Sequence, residues 1–429
     1  MERHFAGEVR AASGEWRRHG TVLIPSLGGM MLVSVHGYSL GVMMGPLEQE
    51  FGWSRAEISG GNMIIAFVTL LLSPWVGAAI DRLGPRRVAI VGVMAYAVLL
   101  SWFATVTGEI SSWWLRWGVM GFATTIIMPT VWTAAINSRF VVNRGKALAI
   151  VLLGTGMSAT FVPALTNTLI DHLGWRATYL ALAAIFGGIE LLLVLAFFFG
   201  AGENRAERSS PERTAPAAGM TAREGFRSPV FRKLALGVFV FGVTCLALTV
   251  NAVPVLEARG LDRGAAAAIA GLLGIGSILG RLGGGFLLDR FDASRVAAIS
   301  VTAPILSIVL LLALPGSDLA AGAAMLLLGL ALGTEVDACS YLSARHFGMR
   351  AFGSLFGTIN GFVVFGTGIA PVAANYVYDL AGSYDPVLWA TIPLCALAAL
   401  LFLSLGPYPD FTEPKAEPTP AGQKPLVTA

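Results

Sequence analysis

Arg281 is the only charged residue in the stretch 264–288. A guanidinium stays ionised and presents a planar fork of donors that fits a carboxylate. Among apolar neighbours it needs a counter-charge, resident or bound. Two acids, Glu335 and Asp337, lie in another mostly apolar stretch, 318–343. Asp337 precedes Arg345 by eight residues, as Arg281 precedes Asp289, so these groups share a depth. Either acid can pair with Arg281 or carry a proton. The alternative is a salt-bridge cluster with Asp289, Arg290, Arg345 and Arg350 that steadies one conformation. Other polar residues in apolar stretches are His36, Tyr38, Asn62, Asn251 and Asn360. Each can hydrogen-bond a solute or serve as glue between helices, and a lone histidine is more often a core residue. Arg116, beside Trp113 and Trp114, reads as snorkelling to an interface. Glu190 sits centrally in an apolar stretch with no evident partner.

The elements that hold these groups read as membrane helices. Of 429 residues, 55% are hydrophobic and 13% charged, about half the charge of a soluble domain. The mean hydropathy is +0.71. Stretches of about 20 apolar residues span a bilayer, and the sequence holds twelve. The first six are 21–46, 57–80, 88–107, 112–137, 147–170 and 177–200. The rest are 232–256, 264–288, 295–315, 318–343, 353–378 and 385–406. The alternation of a membrane barrel is absent. The expected fold class is an all-α membrane protein. Its expected parts are a leader (1–20), a six-helix bundle (21–200), a linker (201–229), a second six-helix bundle (230–406) and a tail (407–429). The leader is basic and reads as no cleavable signal peptide. The linker and the Pro-rich tail are expected to be mostly disordered.

Charge sets the orientation. With the N-terminus inside, 23 Lys and Arg fall in inner segments and 4 in outer loops: Arg55, Arg176, Arg259 and Arg263. By the positive-inside rule both termini face the cytoplasm. Trp53, Trp113, Trp114 and Trp175 then mark an outer aromatic belt.

The two halves echo each other. Gly77-x-x-x-Asp81-Arg82 recurs as Gly285-x-x-x-Asp289-Arg290, 208 residues on. Trp53-Ser54-Arg55-Ala56 recurs as Leu261-Asp262-Arg263-Gly264 at the same offset. Arg139-Phe140 with Arg144-Gly145 corresponds to Arg345-His346-Phe347 with Arg350-Ala351, about 206 residues apart. Three echoes in register at matching helix ends imply two pseudo-symmetric bundles with a substrate site between them near the midplane.

The stretch GAAIDRLGPRR resembles the signature loop of the major facilitator superfamily, and the resemblance covers residues 20–406. FGWSRAEIS (51–59), SRFVVNRGKALAI (138–150), GWRATY (174–179) and EVDACSYLSARHFGMRAFG (335–353) are similar to its bacterial monocarboxylate-transporter-like and oxalate–formate-antiporter-like branch. The resemblance implies a secondary carrier of a small organic anion, a monocarboxylate foremost, by proton coupling or exchange. It implies an anion-binding arginine in helix eight, where Arg281 stands. It departs at Ser277, where monocarboxylate carriers often have an Asp. Asp81, Arg82, Arg86, Asp289 and Arg290, at the cytoplasmic edge, are expected to gate rather than bind, with Glu335, Asp337 and Arg345 as further coupling or gating candidates. The resemblance places helix six at the periphery, which leaves Glu190 unexplained.

Other classes are disfavoured. The sequence has no Walker loop, CxxC or HExxH. Cys245, Cys339 and Cys395 read as small hydrophobes in apolar stretches. No cofactor, metal or nucleic acid is expected; the lipid bilayer is, and so is a monomeric state. A proton is the candidate co-substrate and the cell membrane, plasma or inner, the expected location. Proton-driven efflux of drugs or other small molecules is the alternative, although helix five lacks a Gly-Pro pairing. A transporter-like receptor is the remote one.

Overall fold

The computed structural model describes residues 15–137, 139–140, 143–198, 219–348, 350–409 and 411. Among these, helices account for nearly all regular structure, and the only extended pairing is an isolated bridge between Gly219 and Gly348.

Eleven helical stretches are long and apolar enough to cross a membrane. The longest, Lys146–Phe197, has 52 residues. A straight helix of that length would measure about 78 Å, against a hydrocarbon core of about 30 Å. Gly174 breaks it, with φ 74° and ψ 162°, a conformation that glycine alone takes readily. The break gives twelve spans, as expected from the sequence.

In the first half, span 1 is Leu23–Phe51, span 2 Arg55–Leu83 and span 3 Pro85–Trp102. Span 4 runs as Ile110–Ile126 and Pro129–Asn137. Spans 5 and 6 share Arg144–Leu182 on either side of Gly174, and span 6 continues through a π turn, Ala183–Gly188, into Ile189–Phe197. In the second half, span 7 is Pro229–Val250 extended by Ala252–Ala258, and span 8 is Arg263–Ala270 with Leu272–Arg290. Span 9 is Ala293–Ala313, span 10 Asp318–Phe347, span 11 Phe352–Ala381 and span 12 Asp385–Leu403.

The packing repeats as the sequence does. Span 1 packs on 5 and span 2 on 4; correspondingly, 7 packs on 11 and 8 on 10. The bundles meet through spans 2 and 11 and, equivalently, 5 and 8. Without a hydrophobic force between helices in lipid, small residues set how closely backbones approach. Spans 8 and 10 show this most clearly. A Cβ added at Gly329 would fall 2.0 Å from the carbonyl of Leu273, and one at Gly333 equally close to that of Ser277. Gly274 of span 8 meets the Gly156 carbonyl of span 5 in the same way.

Ordered contacts extend beyond the two bundles, and one expectation changes. Residues 219–229 of the linker are ordered: Thr221 and Glu224 form a capping box on the short helix Ala222–Arg227. The Met220 amide bonds the carbonyl of Phe347, and Gly225 packs on Leu355. Residues 201–218 lie outside the described residues. Glu15 of the leader accepts from the Asn143 amide at 3.0 Å, and Tyr408 of the tail donates to Asp292. The aromatic belt is chiefly core, since Trp53, Trp113 and Trp175 are buried and Trp114 alone of the four is exposed. Their indole N–H groups bond Gly108, Ile58 and Glu50, which draws the rings inward.

Candidate functional site

Arg281 points from span 8 to the boundary between the bundles. Its Nη1 donates to the carbonyl of Leu152 in span 5 at 3.2 Å. Its Nε lies 3.9 Å from Asp337 Oδ2 of span 10, too far for a hydrogen bond. That Nε is buried and has no hydrogen-bond partner. A guanidinium has five N–H donors, so this one is held loosely by protein groups. The pair is also not sealed: the Arg281 and Asp337 side chains retain 16% and 35% exposure. Across the boundary, Tyr38 of span 1 lies within range of the Arg281 charge. Beyond Tyr38, spans 1, 5, 7 and 8 leave a crevice of about 10 Å³ lined by Gly41, Ala159, Pro163 and Leu273, room for about one water.

Only one of the two acids faces Arg281. Residues two apart on a helix do not share a face. Asp337 takes the side toward span 8, whereas Glu335 is buried on another side, with Oε1 unpartnered. The alternative salt-bridge cluster is not tested, because the side chain of its Asp289 lies outside the described residues. Arg290 lies over the Phe286 ring and Arg345 over that of Tyr408. The side chain of Asp81 also lies outside the described residues. Arg82 is exposed, and Arg86 donates to the carbonyl of Leu195 near the end of span 6.

The remaining candidates scatter. His36 contacts Tyr96 Oη at 3.2 Å and the Trp117 ring, within the first bundle. Asn251 is fully buried and accepts from Asn375 of span 11 at 2.9 Å. Asn62 Nδ2 is buried without a partner, and Asn360 is exposed. Arg116 does not snorkel. It is 7% exposed and donates to the carbonyls of Trp102, Thr105 and Ser112, closing the end of span 3. Glu190 fills a notch at Gly28 of span 1, where a Cβ would fall 2.0 Å from its Oε2.

One cluster was not singled out from the sequence. The end of the molecule where spans 1 and 2 connect is latched across the two bundles. The amides of Arg55 and Ala56, opening span 2, donate to Asp379 of span 11 at 3.2 and 3.0 Å. The Arg55 guanidinium pairs with Glu48, bonds Tyr384 Oη and stacks on the Tyr378 ring. Tyr384 donates in turn to Asn375, so a buried polar chain runs from Arg55 to Asn251. At the equivalent place in the second half, Arg263 reaches back to the carbonyl of Val42 in span 1. The 208-residue echo between Arg55 and Arg263 was the signal for this pairing. At the opposite end, Leu70, Phe226, Thr358, Phe362 and Phe365 border a recess of about 670 Å³.

The comparisons agree with this architecture. The family model described as Major Facilitator Superfamily matches residues 27–362 and 284–429. A gallate transporter of Pseudomonas putida is 27% identical over 392 residues, covering 79% of this chain and 84% of its own. Human monocarboxylate transporter 11 is 27% identical over 363 residues, covering 82% and 72%. The fujikurins efflux protein of Gibberella fujikuroi is 22% identical over 239 residues, covering 55% and 49%. Among solved structures, nucleoside transporter NupG superimposes with a TM-score of 0.69 at 15% identity, covering 90% of this chain and 98% of its own. A bacterial homologue of the lysosomal transporter Spinster gives 0.68 at 16% identity, covering 90% and 96%.

Proposed function

This chain belongs to the major facilitator superfamily, as a multi-pass membrane transporter of small molecules, and we propose that its cargo is a small organic anion whose carboxylate is held by Arg281. The observation that carries this reading is the incomplete satisfaction of that guanidinium. Its Nε lacks a hydrogen bond, and its nearest carboxylate stands off at 3.9 Å. A resident ion pair built for stability alone would close to a short bidentate contact. A loose counter-ion can be displaced by an incoming anion, which frees Asp337. Because Arg281 also holds Leu152 of the other bundle, binding there alters a contact between the halves. A ligand shifts a carrier between states only by binding them unequally, and this contact gives it a means to do so.

Relatives that carry gallate and monocarboxylates support the cargo class. Asp81 and Asp289 serve in this reading as parts of the gate at the linker end. The inner membrane, with both termini cytoplasmic, is the proposed setting. Efflux is the second reading, favoured by the relative that exports fujikurins.

A thermal-shift screen of the purified chain with gallate, aromatic and aliphatic monocarboxylates, dicarboxylates and neutral or cationic drugs tests the proposal. Stabilisation by carboxylates that is absent in Arg281→Ala supports it. Stabilisation by neutral or cationic compounds alone would replace it with the efflux reading.

A further inference from the structure

We propose that Glu335 is a proton-binding site of this carrier, distinct from the Arg281–Asp337 pair. The inference rests on the chain being a membrane carrier and not on which solute it moves.

Glu335 lies in the middle of span 10 and is 6% exposed. Its Oε1 is buried without a hydrogen-bond partner. The neighbouring polar group, Thr334 Oγ1, is already committed to the carbonyls of Gly280 and Leu330. The groups close enough to feel the Glu335 charge are the thiols of Cys245 on span 7 and Cys339 one turn along its own helix. Neither is a cation. Arg281 of span 8 is turned to Asp337. The basic residue of span 9, Arg295, sits in its first turn, and the ionisable residues of span 11, Tyr376, Tyr378 and Asp379, sit near its far end. No charged partner therefore faces Glu335 from spans 7, 8, 9 or 11 among the described residues.

A carboxylate in such surroundings is costly unless paired or neutralised. A proton is the smallest ligand that removes the cost. Loading forms one O–H bond and takes the group from −1 to neutral; release breaks that bond and restores the charge. Nothing else is consumed. Span 10 packs along span 8 by backbone contact at Gly276, Gly280, Gly329 and Gly333. A shift of span 8 at Arg281 therefore moves the helix that carries Glu335. Two acids on different faces of one helix divide the work, Asp337 answering the guanidinium and Glu335 the proton.

The test uses the full-length chain. An apolar carbodiimide, N,N′-dicyclohexylcarbodiimide, is attacked by protonated carboxyls in apolar surroundings, the proton passing to its nitrogen and the oxygen adding to its central carbon, and the reaction needs no substrate. Mass spectrometry of the wild type over an acid-to-alkaline series should find the adduct on Glu335, with its yield falling as pH rises. Asp337, half-exposed beside a cation, should stay unmodified. In proteoliposomes with radiolabelled gallate, Glu335→Gln should lose the response to an inward proton gradient. Thermal unfolding and size-exclusion profiles check that this variant folds. Absence of the adduct on Glu335 in acid overturns the proposal, as does a retained gradient response in Glu335→Gln. If gallate is not carried by the wild type, the carbodiimide reaction alone decides, and the anion reading fails separately.

Discussion

Asp379, near the end of span 11, accepts hydrogen bonds from the Arg55 amide at 3.2 Å and from the Ala56 amide at 3.0 Å. A carboxylate of one bundle thus caps the first turn of a helix in the other. The first amides of a helix lack intrahelical partners and carry a partial positive charge. Separating the bundles at this end leaves both amides and the carboxylate to water. The contact marks the closed side of the carrier, opposite the recess between spans 2 and 11.

Asp379→Asn keeps the shape and removes the charge, at a cost of about 0.3–1 kcal/mol to the closed state. Arg55→Ala removes the Glu48 pair, the Tyr384 bond and the stacking on Tyr378 together. Spin labels at Glu109 and Asp318, exposed on the two bundles at this end, should show longer distances in both variants. Arg55→Ala should show the greater change. Unchanged distance distributions would mean that the latch does not hold the state.

Arg281→Lys keeps the charge and loses the fork. Anion binding should weaken, and Arg281→Ala should lose about 2–5 kcal/mol of affinity, the range for removing one partner of a buried charge pair. Isothermal titration with whichever carboxylate the screen selects reads both values. An unaltered affinity in folded Arg281→Ala places the carboxylate elsewhere.

Asp337→Asn removes the competitor for Arg281. Since the pair is open at 3.9 Å and partly exposed, the gain in anion affinity should be modest, within about tenfold or 1.4 kcal/mol. Turnover should fall, because the guanidinium lacks its return partner after release. Binding and flux measured on the same preparation separate the two effects, and tighter binding with faster turnover would contradict the exchange.

Gly329→Ala puts a methyl 2.0 Å from the Leu273 carbonyl at the contact of spans 8 and 10. The helices must part, at about 1–3 kcal/mol for overpacking. A lower Tm than wild type is expected. Gly283→Ala, with open space at its Cβ, should be close to neutral. Equal Tm values would show that the close approach contributes nothing to stability.

Cysteines at Glu109 and Lys146, both exposed and at opposite ends of the bundles, report orientation. In intact cells an impermeant thiol reagent should modify position 109 and spare position 146. The opposite pattern would invert the proposed topology.

Much of the architecture was legible in the sequence, because a bilayer constrains a chain through length and polarity alone. Twelve apolar stretches, the cation asymmetry and the 208-residue echo lead to two six-helix bundles without reference to contacts. Arg281 was legible for the same reason, since a charge amid apolar residues is conspicuous in one dimension. Its partner was not. Glu335 and Asp337 stand at similar depth and differ by the 200° between their faces on one helix, and only the rotation of span 10 turns Asp337 to the guanidinium. The Leu152 carbonyl carries no sequence signal, because every residue has one. Arg116 and three of the four expected belt tryptophans looked interfacial by position, yet acceptors inside the fold drew their donors into the core: backbone carbonyls for Arg116, Trp53 and Trp113, and the Glu50 carboxylate for Trp175. The latch joins Arg55 to residues more than 320 positions away. That proximity follows from how two bundles dock, which periodicity within a helix does not encode.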